Sequence, residues 1–496
     1  MSRTSVIVAT VGVLAAISLV FAYFGYPPNG NNDGAWFVVP AIRLATVGEL
    51  DNPIDWEAAG IPFDPVRGGH RFLAYPPLFQ ILLSFFISLD SHLPPPIQAF
   101  LGIAVMNSVT LAFSAWALIL IATSGGKRMS IPATMLICIG LLLVFRASWS
   151  FGARPEVLLR LLFTVSFALV FYIKDSWRLA TALGVLLGLT AATHVLGPAF
   201  LVALIVFAFA LRHSFWTSVK HIAATVATGL GTFIVAMQLS PYSISETLRG
   251  AFGVGTWVLV RDVPKKAFFS LLSGHPIVLV GIAVTATFLF FGIRWFLRSP
   301  ERKQVGSPVL LVLALLAAGG YLAFAVVYGI RQYYIAPFVL IAPAALLYAV
   351  DRFPIRASAI TGFVALFGIL TALTLQKLIL FPFFLQDGMP LPAARAAFAE
   401  TMEQIRPVRI ELYGSHVWTL SETQYDIAVA GGAIEPYKVP RFTRVVEQIE
   451  MPEAPQTFGP CALARSFYTT KAPTLFGVQL APTTPGYNFA VYDCKN

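Results

Sequence analysis

Long apolar runs separated by short polar connections fill the chain as far as about residue 380. Crossing the ~30 Å hydrocarbon layer of a membrane takes roughly 20 apolar residues in a helix. Runs of that order lie near 5–25, 98–122, 130–146, 156–173, 179–196, 197–212, 220–240, 275–293, 307–328, 332–350 and 357–380, which predicts about eleven transmembrane helices. The segment YPPLFQILLSFFISL (75–89) is apolar as well. Counting it as a span would invert every later connection, so it reads as a re-entrant or interfacial helix. Pro76 and Pro77 then fall in its first turn, where a missing N–H costs little. From about residue 386 the pattern changes to spaced charges and short runs (VRIELYG, YDIAVAGG, FAVYDC) that predict a small α/β domain. The expected fold class is an α-helical polytopic membrane protein, with a transmembrane domain over 1–385 and a C-terminal domain over 386–496.

Composition agrees with that pattern. Of 496 residues, 57% are hydrophobic and 12% charged, more apolar side chain than a soluble domain can bury. The net charge of +10 is no nucleic-acid signature, because excess Lys and Arg in membrane proteins gathers in cytoplasmic loops. With the N-terminus inside, GGKRM (125–129), KDSWR (174–178), RHSFWTSVKH (212–221), RWFLRSPERK (294–303) and DRFPIR (351–356) all become cytoplasmic, as the positive-inside rule requires. Two long outer loops, 26–97 and 241–274, and an extracytoplasmic C-terminal domain follow for a multi-pass protein of the plasma (inner) membrane. The first run follows a short MSR head without a small-x-small cleavage site and reads as a retained signal anchor. Cys461 and Cys494 then lie in an oxidising compartment and are expected to pair, while Cys138 sits inside a span. No Cys/His spacing of the zinc type occurs, and no metal or cofactor is expected. No internal repeat is visible, which disfavours transporter folds built on inverted repeats.

Charge at membrane depth is costly and therefore informative. Arg146 and Arg154 flank the turn RASWSFGARPE, Glu156 opens the next span and Arg160 follows one turn deeper. Glu156 and Arg160 are spaced i, i+4 and can neutralise each other on one helix face. Arg331 lies at the mouth of a span beside Tyr333 and Tyr334, where snorkelling beside an aromatic belt is the alternative to a ligand. Lys265 and Lys266 fall in the second long loop, where a solvated loop is the plain reading. His194 ends a span and has the plain reading of a satisfied buried histidine. All these groups converge on the outer face, where positive charge is not expected. An isoprenoid phosphate fits there, its tail in lipid and its oxygens held by Arg forks. Asp33 in NGNNDGAWF has two readings: N-cap of a short helix interrupted by Pro40, or a carboxylate poised at the bilayer surface.

Four motifs in order, NNDGAWFVVPAIRLATVGEL, YPPLFQILL, ARPEVLLRLLF and IRQYYIAPFVLIAP, resemble the GT-C superfamily of membrane glycosyltransferases. That superfamily of lipid-phosphosugar-dependent enzymes includes protein O-mannosyltransferases and the aminoarabinose and galacturonic acid transferases of lipid A and its core. The resemblance covers most of residues 1–380. It implies an inverting transferase that moves a sugar from a polyprenyl-phosphate donor to a hydroxyl of a glycan, lipid or protein. By position it places the general base on Asp33 and the donor phosphate on Arg331, with Arg154, Arg71 and Tyr334 as further candidates. Glu156, Lys265, Lys266 and His194 form a second tier. Many members have Asp-Glu where this chain has Asp33-Gly34, so the resemblance carries no metal or second acid here. A transporter or flippase of polyprenyl-linked glycans is the alternative, since it too gathers cations and aromatic rings in a membrane cavity.

Overall fold

The structure is a computed structural model that describes residues 2–23, 33–52, 54–55, 76–89, 92–123, 128–150, 154–194, 197–210, 212–248, 340, 343–344, 347, 389, 391–407, 409–413, 426–429, 441–448, 454–468, 474–475, 478–479 and 488–495. Within these, helices α1 (Arg3–Tyr23), α4 (Pro95–Ala122), α5 (Ile131–Ser150), α6 (Glu156–Tyr172), α7 (Ser176–Thr193), α8 (Gly197–Ala210) and α9 (Phe215–Met237) coincide with the first seven expected spans. The other four expected spans lie largely or wholly outside the described residues. Three of the described helices, α1, α4 and α9, are long and apolar enough to cross a membrane. Val8 and Val13 on α1 and Val226, Leu230 and Val235 on α9 are exposed, the apolar outer faces that a lipid environment accepts and water does not.

Two short helices precede the main bundle. Helix α2 (Asp33–Val47) contains Pro40 and ends at Gly48, whose φ of +76° is the left-handed conformation that stops a helix. Asp33 is its first helical residue, one step inside the N-cap position expected of it. Helix α3 (Leu78–Ile87) has 10 residues, and at about 1.5 Å each they cannot span the hydrocarbon layer. Pro77 is its N-cap residue, so the prolines stand just before its first turn. It packs closely on α4: a Cβ placed on Gly102 would meet the Phe86 ring at 2.8 Å.

Short links make successive helices reverse direction, so the end of the bundle that carries the first loop also carries the start of α6, the end of α7, the start of α8 and the end of α9. Helices α7 and α9 pack tightly. Gly184 and Gly188 admit the backbone of α9, and a Cβ on Gly188 would stand 2.4 Å from the Gly229 carbonyl oxygen. At the opposite end Arg212 donates to the carbonyl of Ile173 at 3.1 Å and to that of Val170, so a cation satisfies the last acceptors of α6.

The C-terminal region opens with α10 (Leu391–Ile405), whose Ala394, Phe398, Met402 and Ile405 are buried at helical spacing. A mixed seven-stranded sheet follows in the order β1-β3-β2-β4-β9-β6-β5. Its strands are β2 (Arg409–Tyr413), β3 (Asp426–Val429), β4 (Arg441–Gln448), β5 (Thr457–Phe458), β6 (Cys461–Tyr468) and β9 (Asn488–Lys495), joined by β1 (Ile54–Asp55) from the first loop. A separate hairpin pairs β7 (Thr474–Leu475) with β8 (Val478–Gln479). Three of these strands fall on VRIELYG, YDIAVAGG and FAVYDC. Arg444 and Glu411 stand opposite each other in β4 and β2 and form a fully buried ion pair at 3.0 Å. Cys461 and Cys494 are disulfide-bonded across β6 and β9, and Cys138 is free, as the sequence led us to expect.

Candidate active site

Buried charge collects at the first-loop end of the bundle. Arg154, just before α6, donates from Nε to Glu156 Oε2 at 3.1 Å and from Nη2 to Oε1 at 2.9 Å. Both partners are buried, a forked pair with little competition from water. The direct partner of Glu156 is therefore Arg154, while Arg160, at i+4, makes no ion pair with it within 4 Å. Arg154, two residues before Glu156, takes both carboxylate oxygens from the turn that leads into α6.

Arg160 is left in an unusual position. It is 2% exposed, it donates from Nη2 to Asn107 Oδ1 on α4 at 3.2 Å, and its Nε and Nη1 have no hydrogen-bond partner. A buried guanidinium with unmet donors carries a large desolvation cost. His194, at the end of α7, is also buried. It is held by a tight turn in which the Gly197 N–H donates to the His194 carbonyl at 2.7 Å. A Cβ on Gly197 would lie 2.1 Å from the Thr190 carbonyl oxygen, so only glycine fits where α7 hands over to α8.

The same cluster meets α2. The Arg154 guanidinium lies over the Phe37 ring, 5.2 Å from its centroid, and Phe37 is buried one helical turn along from Asp33. Three sequence candidates, Arg154, Glu156 and His194, thus come together beside the helix that Asp33 begins. Arg71, Lys265, Lys266, Arg331 and Tyr334 lie outside the described residues. Arg160 is the group that sequence reasoning undervalued. Its signal was present, an arginine one turn inside a span, but the i, i+4 acid seemed to answer it.

This architecture, a helical bundle with a short proline-containing helix that begins at an acid, buried charge beside it and a sheet domain at the same end, is similar in fold to a solved membrane protein. The crystal structure of ArnT from Cupriavidus metallidurans bound to undecaprenyl phosphate superposes with a TM-score of 0.58 at 14% identity, over 99% of this chain and 98% of that one. The apo state of the same protein superposes at 0.53 with 13% identity, over 97% of each chain. No protein-family model and no curated protein matches the chain.

Proposed function

We propose that the chain is an inverting glycosyltransferase that moves a sugar from a polyprenyl-phosphate donor to a hydroxyl of a glycan, lipid or protein on the outer face of the inner membrane. The observation that carries this reading is the buried Arg160, whose Nε and Nη1 lack a hydrogen-bond partner, one turn along α6 from the Arg154–Glu156 pair that meets the helix begun by Asp33. An anion that supplies an acceptor to either free donor, Nε or Nη1, turns a costly group into a binding group. Full-length likeness in fold to a protein crystallised with undecaprenyl phosphate supports the same class of ligand.

The chemistry needs few groups. Phosphate leaves readily once its charge is stabilised, which guanidinium groups do without donating a proton. Arg160 and Arg154 serve here, with Arg331, Arg71 and Tyr334 as further candidates for the phosphate and Lys265 and Lys266 as a second tier. The acceptor hydroxyl must lose a proton as its oxygen attacks the anomeric carbon. Asp33, at the start of a helix on the bilayer surface, takes that proton. Direct displacement with one base inverts the anomeric centre, whereas retention calls for a second carboxylate as nucleophile. The only acid in the described cluster, Glu156, is tied to Arg154.

Lipid extracts of a deletion strain test the reading. A polyprenyl-phosphate sugar should accumulate, with one envelope glycan losing the matching mass, and both should revert on complementation. Unchanged lipid-linked sugars would overturn it.

A further inference from the structure

The chain that leaves α2 is fastened to three different parts of the protein within a short stretch. Arg43, near the helix end, reaches across the Gly48 turn. Its Nε donates to Asp51 Oδ1 at 2.8 Å, and its Nη2 donates to Asp51 Oδ2 at 3.2 Å and to Glu49 Oε2 at 3.1 Å. The Arg43 and Asp51 side chains are 19% and 17% exposed, so this fork is better shielded than an ordinary surface pair. The bond from Asp51 also raises the Arg43 pKa above its usual value. Leu50, between the two acids, is buried, and its carbonyl accepts from the Tyr242 hydroxyl beyond α9. Ile54 and Asp55 then pair in parallel with Ile427 and Ala428 of β3.

Helix α2 needs such fastening. Pro40 lacks the N–H that would bond back to the preceding turn, so contacts outside the helix carry more of the work of orienting it. A base must also be held within a fraction of an ångström of its proton. We infer that Arg43 is a positioning residue: through its fork on Asp51 it locks α2 to the strap Glu49–Asp55, so that the C-terminal sheet, gripping β1, sets where Asp33 stands. The inference rests on the proposed role of Asp33. It assigns the C-terminal domain a task, that of holding the catalytic helix in register with the bundle.

The test compares Arg43→Ala, Arg43→Lys and the milder Asp51→Asn. Three readouts serve: hydrogen exchange of α2, β1 and β3; the thermal shift given by undecaprenyl phosphate; and clearance of the accumulated polyprenyl-phosphate sugar in the deletion strain. Arg43→Ala should raise exchange in α2 and at Ile427–Ala428 together and keep the lipid-phosphate shift. It should cut clearance by about 10-fold or more, since a displacement of about 1 Å costs up to about 10²-fold. Arg43→Lys, a point charge without the fork, should recover part of the clearance, and Asp51→Asn should fall between. Full clearance with Arg43→Ala, or exchange that rises in α2 but not in β3, overturns the inference. So does a loss of clearance matched by a loss of the lipid-phosphate shift. An active Asp33→Asn beside an impaired Arg43→Ala would strike down the base and leave the coupling; the reverse pattern would strike down the coupling alone.

Discussion

At the scale of single residues, Asp33 and Arg160 each permit an experiment that separates binding or catalysis from folding. Asn caps a helix about as well as Asp but cannot take a proton. Asp33→Asn should therefore keep its thermal stability and its undecaprenyl-phosphate shift while transfer falls by roughly 10²- to 10⁴-fold, the usual share of a general base. A fully active Asp33→Asn, with Asp33→Ala less stable by about 1 kcal/mol, would return the residue to capping alone. Arg160 makes the opposite kind of prediction. Replacing a buried, poorly satisfied charge with an apolar side chain of similar length is often neutral or stabilising, by up to about 1–4 kcal/mol. Arg160→Met should thus melt no lower than the native protein and yet lose the thermal shift given by undecaprenyl phosphate. A variant that binds as before would make Arg160 a structural residue. Arg154 differs, because its removal leaves Glu156 buried without its forked partner and should cost several kcal/mol.

At the scale of elements, the links decide the geometry. The seven described helices that fall on expected spans were legible because a helix that crosses a bilayer needs an apolar run of set length, which hydropathy locates. The α7–α8 turn was not legible as a constraint, since Gly197 reads as one glycine among many. Its contact with the Thr190 carbonyl makes it obligatory. Gly197→Ala should destabilise the protein by about 1–3 kcal/mol through overpacking and shift His194 beside the cluster, read out as a lower melting temperature and weaker lipid-phosphate binding together. Strands β4 and β6 escaped pattern reading for a related reason. RFTRVVEQ carries two arginines, and one of them, Arg444, is tolerated in the sheet only because Glu411 lies opposite it on β2. Strand β1 is two residues long and exists because β3 has an edge to offer.

At the scale of the whole molecule, charge and connectivity together make a prediction about orientation. The β1–β3 pairing and the Tyr242 bond place the first loop, the end of α9 and the C-terminal sheet at one end of the bundle. By the positive-inside rule the basic connections at the other end are expected to face the cytoplasm. A reporter fused at Gly126 should be cytoplasmic and one fused at the C-terminus should be outside. A cytoplasmic C-terminus would carry the proposed site to the wrong compartment. The disulfide gives an independent check, because an enclosed Cys461–Cys494 bridge belongs to an oxidising compartment. Linked peptides containing both residues should appear in non-reduced digests of membranes. Loss of the bridge should cost the C-terminal domain about 2–5 kcal/mol, and if that domain positions α2, transfer should fall with it.

The sequence by itself determined where the described helices run, that α3 stops short of spanning, that a short helix opens at Asp33 and is ended by Gly48, and which cysteines pair. Each of these follows from short-range rules: the thickness of the bilayer, the backbone freedom of glycine, the missing donor of proline and the redox state of a compartment. Tertiary structure alone decided the charge pairing of the site and the reach of the C-terminal sheet. Whether Glu156 answers Arg160 or Arg154 depends on the backbone path before α6, and whether residues 54–55 form a strand depends on an edge more than 370 residues further along the chain. Such choices are made by packing between distant segments, and no local pattern of residues encodes them.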